Sequence, residues 1–122
     1  AMAAGLKTLE IISEKNYFKI LSDKTSYLVK GFNKVAKKYN LNISADSEGG
    51  MFGIYFTKNK LKNINNINSS SKDSFLDFFN YMLKHGVFFA PSMYEAGFVS
   101  SKHSKKDLDY TIKIFESWVN KK

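Results

Sequence analysis

The sequence predicts an α+β fold in which about four helices pack against a small, largely antiparallel sheet. Apolar residues recur at helical spacing in several segments, and short apolar runs separate these segments. The predicted order is helix, helix, strand, strand, helix, strand, strand, helix. A chain of 122 residues that is 43% hydrophobic can bury the core of one domain. We therefore interpret residues 1–122 as a single domain.

The first predicted helix covers residues 1–14, where Met2, Leu6, Leu9 and Ile12 give an apolar face. Helices usually begin with Ser, Thr, Asp or Asn at the N-cap, and none precedes this face. We expect a helix that is cut within the element, and hence a chain that is a piece of a longer protein.

A second helix is predicted over residues 23–39, where one face carries Leu28, Phe32, Val35, Ala36 and Tyr39. Asn40 ends it, and alternation over residues 41–45 predicts a short strand. Gly49 and Gly50 precede a buried strand at residues 51–57, in which Gly53 indicates a bulge or a close backbone approach. Residues 58–71 are rich in Asn, Lys and Ser and are predicted to form a long surface connection.

The third helix begins with Ser71 or Asp73 as its cap and ends at Gly86 in the C′ position. Its apolar positions are Phe75, Phe78, Phe79, Met82 and Leu83. Short strands are predicted at residues 87–90 and 97–99, with Pro91 ending the first of them. Ser104 and Asp107 form a variant of the capping box, which opens a last helix. Its face carries Leu108, Ile112, Phe115 and Val119.

Composition excludes several kinds of chemistry. The chain has no cysteine, and its two histidines, His85 and His103, are far apart in sequence, so we expect no metal site. All 19 basic residues are lysines, which leaves no planar guanidinium for carboxylates or phosphates. No apolar run is long enough for a membrane helix, and no signal peptide is visible. We expect a soluble, cytoplasmic protein without a membrane partner.

Glu95 is the one acidic residue that stands out, because its neighbours Tyr94, Ala96, Gly97 and Phe98 are uncharged. Carboxylates in apolar surroundings are enriched at functional sites. The alternative is a loop glutamate that faces water. No partner acid or nucleophile stands beside His103, so we interpret that residue as a structural side chain near a helix start.

Six motifs occur together in one order, and their spacing resembles the C-terminal part of the glutamate-1-semialdehyde 2,1-aminomutases, which belong to the class III aminotransferase group. The motifs are Ala1-Met2-Ala3-Ala4-Gly5-Leu6, Gly49-Gly50-Met51-Phe52-Gly53-Ile54, Met82-Leu83-x-x-Gly86-Val87, Ala90-Pro91-Ser92, Glu95-Ala96-Gly97-Phe98 and Ser100-x-x-His103-Ser104. The resemblance implies the C-terminal small domain of a fold-type I pyridoxal-phosphate enzyme, with residues 1–14 as a truncated helix leading from a missing large domain.

The resemblance also implies where the cofactor chemistry lies. Family members carry pyridoxal 5'-phosphate mainly on the large domain, which holds the Schiff-base lysine. None of the lysines in this chain matches that motif, so the chain alone is expected to bind no cofactor and to be inactive. The full-length parent is implied to be a cytoplasmic homodimer that converts glutamate 1-semialdehyde to 5-aminolevulinate, for porphyrin (tetrapyrrole) biosynthesis.

By resemblance, Glu95 is the active-site contact of this domain, because family members carry a glutamate close to the cofactor in the matching motif. Ser92, together with Gly50, Met51 and Phe52, is expected to line the space near substrate or cofactor. Related aminotransferases hold a substrate carboxylate with an arginine from this domain, and the chain has none.

An alternative from another class is a standalone basic module that binds nucleic acid or an acidic partner. The net charge of +8 and the seven tyrosines are compatible with it. Against it, the lysines are scattered in ones and twos and form no continuous run, which is typical of a solvated surface. We therefore expect a small-molecule substrate and no nucleic acid.

Overall fold

The computed structural model describes residues 1–59 and 61–121, and within them it contains five helices and one three-stranded antiparallel sheet. The predicted α+β class is therefore confirmed. The elements are α1 (Met2–Ile12), α2 (Tyr17–Lys38), β1 (Ser44–Glu48), β2 (Met51–Tyr55), α3 (Ile64–Asn68), α4 (Lys72–Lys84), β3 (Gly97–Phe98) and α5 (Lys105–Val119).

The sheet has the strand order β1-β2-β3, with every neighbouring pair antiparallel. A two-residue turn joins β1 to β2, and its first residue, Gly49, takes a φ of +56°. Glycine is favoured there because a positive φ at the first turn residue suits the twist of a hairpin. The first strand lies at Ser44–Glu48 rather than at residues 41–45, so the predicted bounds were shifted.

Three phenylalanines from different helices form the centre of the core. Phe32 of α2, Phe78 of α4 and Phe115 of α5 have no solvent exposure. The ring of Phe115 lies 5.0 Å from that of Phe32 and 5.9 Å from that of Phe78, centroid to centroid. The helical faces predicted from apolar spacing therefore meet, and they cover one side of the sheet.

Helices α4 and α5 begin where their caps were predicted. The Ser71 hydroxyl accepts the amide of Ser74, and Ser104 and Asp107 form the full capping box. At the end of α4, Gly86 takes a φ of +77°, and the amide of Val87 donates to the carbonyl of Met82 at 2.9 Å. This is the Schellman end that the predicted C′ glycine implies.

Residues 87–90 do not form the predicted strand. They run in irregular conformation after α4, and Phe88 is 75% exposed. Val87 and Phe89 pack against the core, and the ring of Phe89 lies 5.3 Å from that of Phe78. On the side of β2 away from β1, β3 pairs with Met51 and Phe52, and residues 87–90 pair with no strand of the described sheet. A short apolar run was therefore mistaken for a strand, because such runs do not show which sheet edge is free.

Two further differences concern helices. Helix α2 begins at Tyr17 rather than at residue 23, because its first turns carry exposed apolar residues that hide the period. The predicted connection at residues 58–71 contains the short helix α3, capped by the Asn63 side chain, which accepts the amides of Asn65 and Asn66.

Helix α1 is formed as predicted, yet it buries none of its residues. Its apolar side chains Met2, Leu6 and Leu9 are 90%, 61% and 59% exposed. In the chain as described, α1 therefore adds no apolar surface to the core. No helix within residues 1–59 and 61–121 combines the length and the apolar character needed to cross a membrane.

Candidate functional site

An open groove of about 760 Å³ lies between the irregular segment after α4 and the beginning of α5. Residues 86–91 form one wall, residues 95–99 form a second, and the first turns of α5 close the third side. Leu28 of α2 and Phe52 of β2 form its apolar floor. Because both floor residues belong to the core, packing fixes the base of this groove.

Glu95 lies in the wall of this groove, next to β3. A tight turn places it there: the amide of Glu95 donates to the Ser92 carbonyl at 3.1 Å, and the amide of Tyr94 donates to the Ser92 hydroxyl at 3.2 Å. The residue is exposed, and none of the ion pairs within the described residues involves it. This exposure agrees with the alternative of a loop glutamate that faces water. The water it faces, however, is in the groove.

The other predicted lining residues divide into two groups. Ser92 and Phe52 border a second, small cavity of about 20 Å³, which Glu95 also borders. Gly50 and Met51 line neither cavity. The Gly50 carbonyl accepts the amide of Val99 at 3.0 Å, and Met51 pairs with Phe98, so both hold β3 in place. The structure thus brings Ser92, Phe52 and Glu95 together, whereas Gly50 and Met51 support the wall from behind.

Gly97 fits its position because it has no side chain. A Cβ atom at Gly97 would lie 2.4 Å from Cζ of Phe52. The backbone of β3 therefore lies directly on the Phe52 ring, and this contact sets the depth of the groove beside Glu95.

Polar residues at the start of α5 form a side of the groove that the sequence did not predict as part of the site. His103, Lys106, Asp107 and Tyr110 line it. Their helical spacing of three, one and three residues places them on one face, so periodicity could have identified them as a polar surface. The groove thus carries an acidic group on one wall, with an imidazole and an ammonium group on the side opposite.

Two of these groups, Asp107 and His103, form hydrogen bonds within the protein. The Asp107 carboxylate accepts hydrogen bonds from the hydroxyl and the amide of Ser104. These bonds, above all the one from the hydroxyl, hold the pKa of Asp107 below its usual range. His103 accepts the amide of Ser100 at Nδ1, 3.0 Å away, in agreement with the structural role predicted for it. Asp107 is therefore occupied with capping α5, which leaves Glu95 as the groove carboxylate without a protein partner in the described part of the chain.

Exposed aromatic residues surround the groove. Phe88 is 75% exposed, Phe98 is 69% exposed and Tyr110 is 48% exposed. Large apolar side chains in such number around one concave surface are typical of a ligand or interaction site.

The described residues fit one wall of a cofactor site. They supply a carboxylate from Glu95 and an aromatic surface around the groove. Residues 1–59 and 61–121 also contain no group of three or more His, Asp or Glu side chains placed to hold a metal ion.

Comparison with known proteins places this geometry in context. No protein-family model matches the chain. Over 114 residues it is 44% identical to the glutamate-1-semialdehyde 2,1-aminomutase of Neisseria meningitidis serogroup C, and 43% identical to that of Nitrosomonas europaea. The chain is homologous to glutamate-1-semialdehyde 2,1-aminomutases. The resemblance inferred from the motifs is confirmed.

The alignment with the Neisseria aminomutase covers 93% of this chain and 27% of the relative. The chain therefore spans about a quarter of the length of the curated relatives it matches. The comparisons give no support to the alternative of a nucleic-acid-binding module.

Solved structures confirm the fold at low sequence identity. An omega-transaminase from Sphaerobacter thermophilus matches 98% of this chain with a TM-score of 0.79 and 17% identity, and this match covers 27% of the transaminase. A glutamate-1-semialdehyde aminomutase from Pseudomonas aeruginosa matches 87% of the chain with a TM-score of 0.75 and 11% identity, over 23% of its own length. A variant of the Pseudomonas enzyme was solved in complex with PMP.

Proposed function

We propose that this chain is the C-terminal small domain of a pyridoxal-phosphate-dependent aminomutase that converts glutamate 1-semialdehyde to 5-aminolevulinate. The observation that carries the proposal is the 44% identity to named aminomutases over 93% of the chain. In this proposal residues 1–122 form one domain, and residues 1–14 are the helix that leads to it from the large domain.

The groove supplies one side of the active site in this proposal. Pyridoxal phosphate, when bound to the large domain, supplies an electron sink for moving the amino group between neighbouring carbons. The chain's own contribution is to enclose that site. Aromatic surface from Phe88 and Phe98 excludes water, and the Phe52 floor keeps the wall rigid.

Glu95 is the residue of this chain that we assign to contact with the reacting groups. Its carboxylate lies on a short turn in the groove wall and has no competing cation among the described ion pairs. A negative charge that becomes enclosed on domain closure interacts strongly with a cationic amine or a protonated ring. We therefore assign Glu95 to orienting the amino group that moves and to stabilising its charged form, with Ser92 fixing the turn.

The chain contains no arginine, so it offers no planar guanidinium that could bind the substrate carboxylate through two parallel hydrogen bonds. The resemblance further implies a cytoplasmic homodimer that acts in porphyrin biosynthesis. The proposal includes the cytoplasmic homodimer and the role in porphyrin biosynthesis, and it includes no nucleic-acid partner.

The test uses the full-length protein that contains this chain, purified with added pyridoxal phosphate. We expect it to form 5-aminolevulinate from glutamate 1-semialdehyde, detected by condensation to a coloured pyrrole. The 122-residue chain alone is the control, and we expect neither turnover nor a cofactor absorbance band that survives dialysis. A full-length protein that retains bound cofactor but forms no 5-aminolevulinate would contradict the proposal.

A further inference from the structure

Lys24 of α2 is bound to the turn that connects β3 to α5. Its ammonium group donates to the carbonyl of Ser101 at 2.5 Å and to the carbonyl of His103 at 2.8 Å. No carboxylate forms an ion pair with Lys24 within residues 1–59 and 61–121. The only groups that the ammonium binds there are these two backbone oxygens.

The turn itself is compact and polar. The amide of His103 donates to the carbonyl of Ser100 at 3.1 Å, and the amide of Ser100 donates to Nδ1 of His103 at 3.0 Å. The carbonyls of Ser101 and His103 both point towards α2, where they accept from the Lys24 ammonium. Two carbonyl dipoles that point at one place repel each other unless a cation lies between them, and the ammonium of Lys24 provides that charge.

This turn joins two sides of the groove. Residues 95–99 precede it and carry Glu95, while Lys106 and Asp107 follow it on α5. His103, within the turn, lines the groove directly. The turn is therefore the link in the chain between the Glu95 wall and the start of α5.

Other lysines of α2 differ from Lys24 in this respect. Lys19 forms an ion pair with Asp23 at 2.7 Å, with 71% of its side chain exposed, whereas Lys24 is half-buried. Lys30 is exposed on the same helix, and its side chain makes none of the hydrogen bonds found in the described part of the chain. A lysine with no role beyond keeping the surface soluble is expected to be exposed and without a protein partner, as Lys30 is.

We propose that Lys24 is a positioning residue, which holds the turn at residues 100–103 so that the Glu95 wall and the start of α5 keep the groove at its working width. The proposal deepens the proposed function and rests on it for its catalytic consequence. Lys24 acts through the backbone of the turn and not through contact with substrate.

The experiment compares three variants of the full-length protein: Lys24→Met, which keeps the length without the donor, Lys24→Arg, which keeps a cation with several donors, and Lys30→Met as the matched control. Hydrogen exchange is measured by mass spectrometry, and kcat and KM are measured with glutamate 1-semialdehyde. We expect Lys24→Met to speed amide exchange at residues 99–104 about tenfold, with α4 unchanged.

In the same variant we expect KM to rise about tenfold while kcat changes less than about twofold, because a misplaced wall weakens binding without removing a reacting group. Lys24→Arg should show the amide exchange and the KM of the unmutated protein, and so should Lys30→Met. Unchanged exchange at residues 99–104, or faster exchange spread equally over the whole domain, would overturn the proposal. A parent protein without aminomutase activity would instead refute the proposed function, and the exchange data would still decide the role of Lys24 at the turn.

Discussion

The carboxamide of Asn33 pairs with both backbone polar groups of Ala45. The amide of Ala45 donates to Oδ1 of Asn33 at 3.0 Å, and Nδ2 of Asn33 donates to the Ala45 carbonyl at 2.8 Å. Ala45 lies in β1, the edge strand of the described sheet. A helix side chain thus takes the place of a neighbouring strand, which ties α2 to the sheet and covers part of an edge that is otherwise open to pairing.

We expect Asn33→Ala to lower the free energy of unfolding by about 1 to 2 kcal/mol, because it leaves the amide and carbonyl of a buried residue without their partner. Urea unfolding of the chain measures the change. Asn42→Ala is the control, since Asn42 is exposed nearby and its side chain makes none of the described hydrogen bonds. Equal stability of the two variants would show that water replaces the Asn33 carboxamide at no cost.

Replacing Gly97 with alanine tests the contact between β3 and the groove floor. The new Cβ atom would lie 2.4 Å from the buried ring of Phe52, so we expect a loss of about 1 to 3 kcal/mol in the free energy of unfolding. Gly5→Ala is the control. Nothing lies within 4 Å of a Cβ at Gly5 in α1, and α1 buries none of its residues, so we expect this change to leave the thermal unfolding of the core unchanged. Gly97→Ala should lower the midpoint of thermal unfolding, and a neutral Gly97→Ala would contradict the packing described.

The capping box of α5 predicts a dependence of stability on pH. Hydrogen bonds from Ser104 hold the pKa of Asp107 below its usual range in the folded chain. This contribution to stability is therefore complete above the unfolded pKa, and it is lost as the pH falls through the lower, folded pKa.

Ser104→Ala is expected to cost about 1 kcal/mol near neutral pH, because it removes an N-cap hydroxyl. The difference from the unmutated chain should shrink as the pH falls through the lowered, folded pKa of Asp107, where the carboxylate becomes protonated. Urea unfolding at a series of pH values measures both effects. A difference that stays constant across the acidic range would argue against the carboxylate taking part in the cap.

Glu95→Gln in the full-length protein tests the site residue. Glutamine keeps the size and the hydrogen-bonding atoms but removes the charge, so we expect kcat for 5-aminolevulinate formation to fall about tenfold or more. The free energy of unfolding should change by less than about 0.5 kcal/mol, as for other exposed positions. The cofactor content should stay near that of the unmutated protein. Glu48→Gln, an exposed change at the end of β1, is the control. A variant with unchanged steady-state rate would leave Glu95 as an ordinary loop residue.

Local sequence patterns were sufficient for the elements that local interactions determine. The phenylalanine stripe of α4, its Ser71 cap and its Gly86 end lie within one stretch of chain, so their spacing alone predicts the helix. The capping box of α5 is local in the same sense. The six ordered motifs also carried the resemblance to the aminomutases, which the sequence comparisons then confirmed.

Only the tertiary structure decided which distant groups meet. Residues 87–90 look like a strand, but they pair with no strand of the described sheet and form a groove wall instead. Lys24 and the carbonyl of Ser101 are 77 positions apart, and nothing in their local sequence indicates the bond. Periodicity records which side of an element is buried, because burial repeats along a helix or strand. It does not record what that side is buried against, and the groove beside Glu95 depends on that choice of partners.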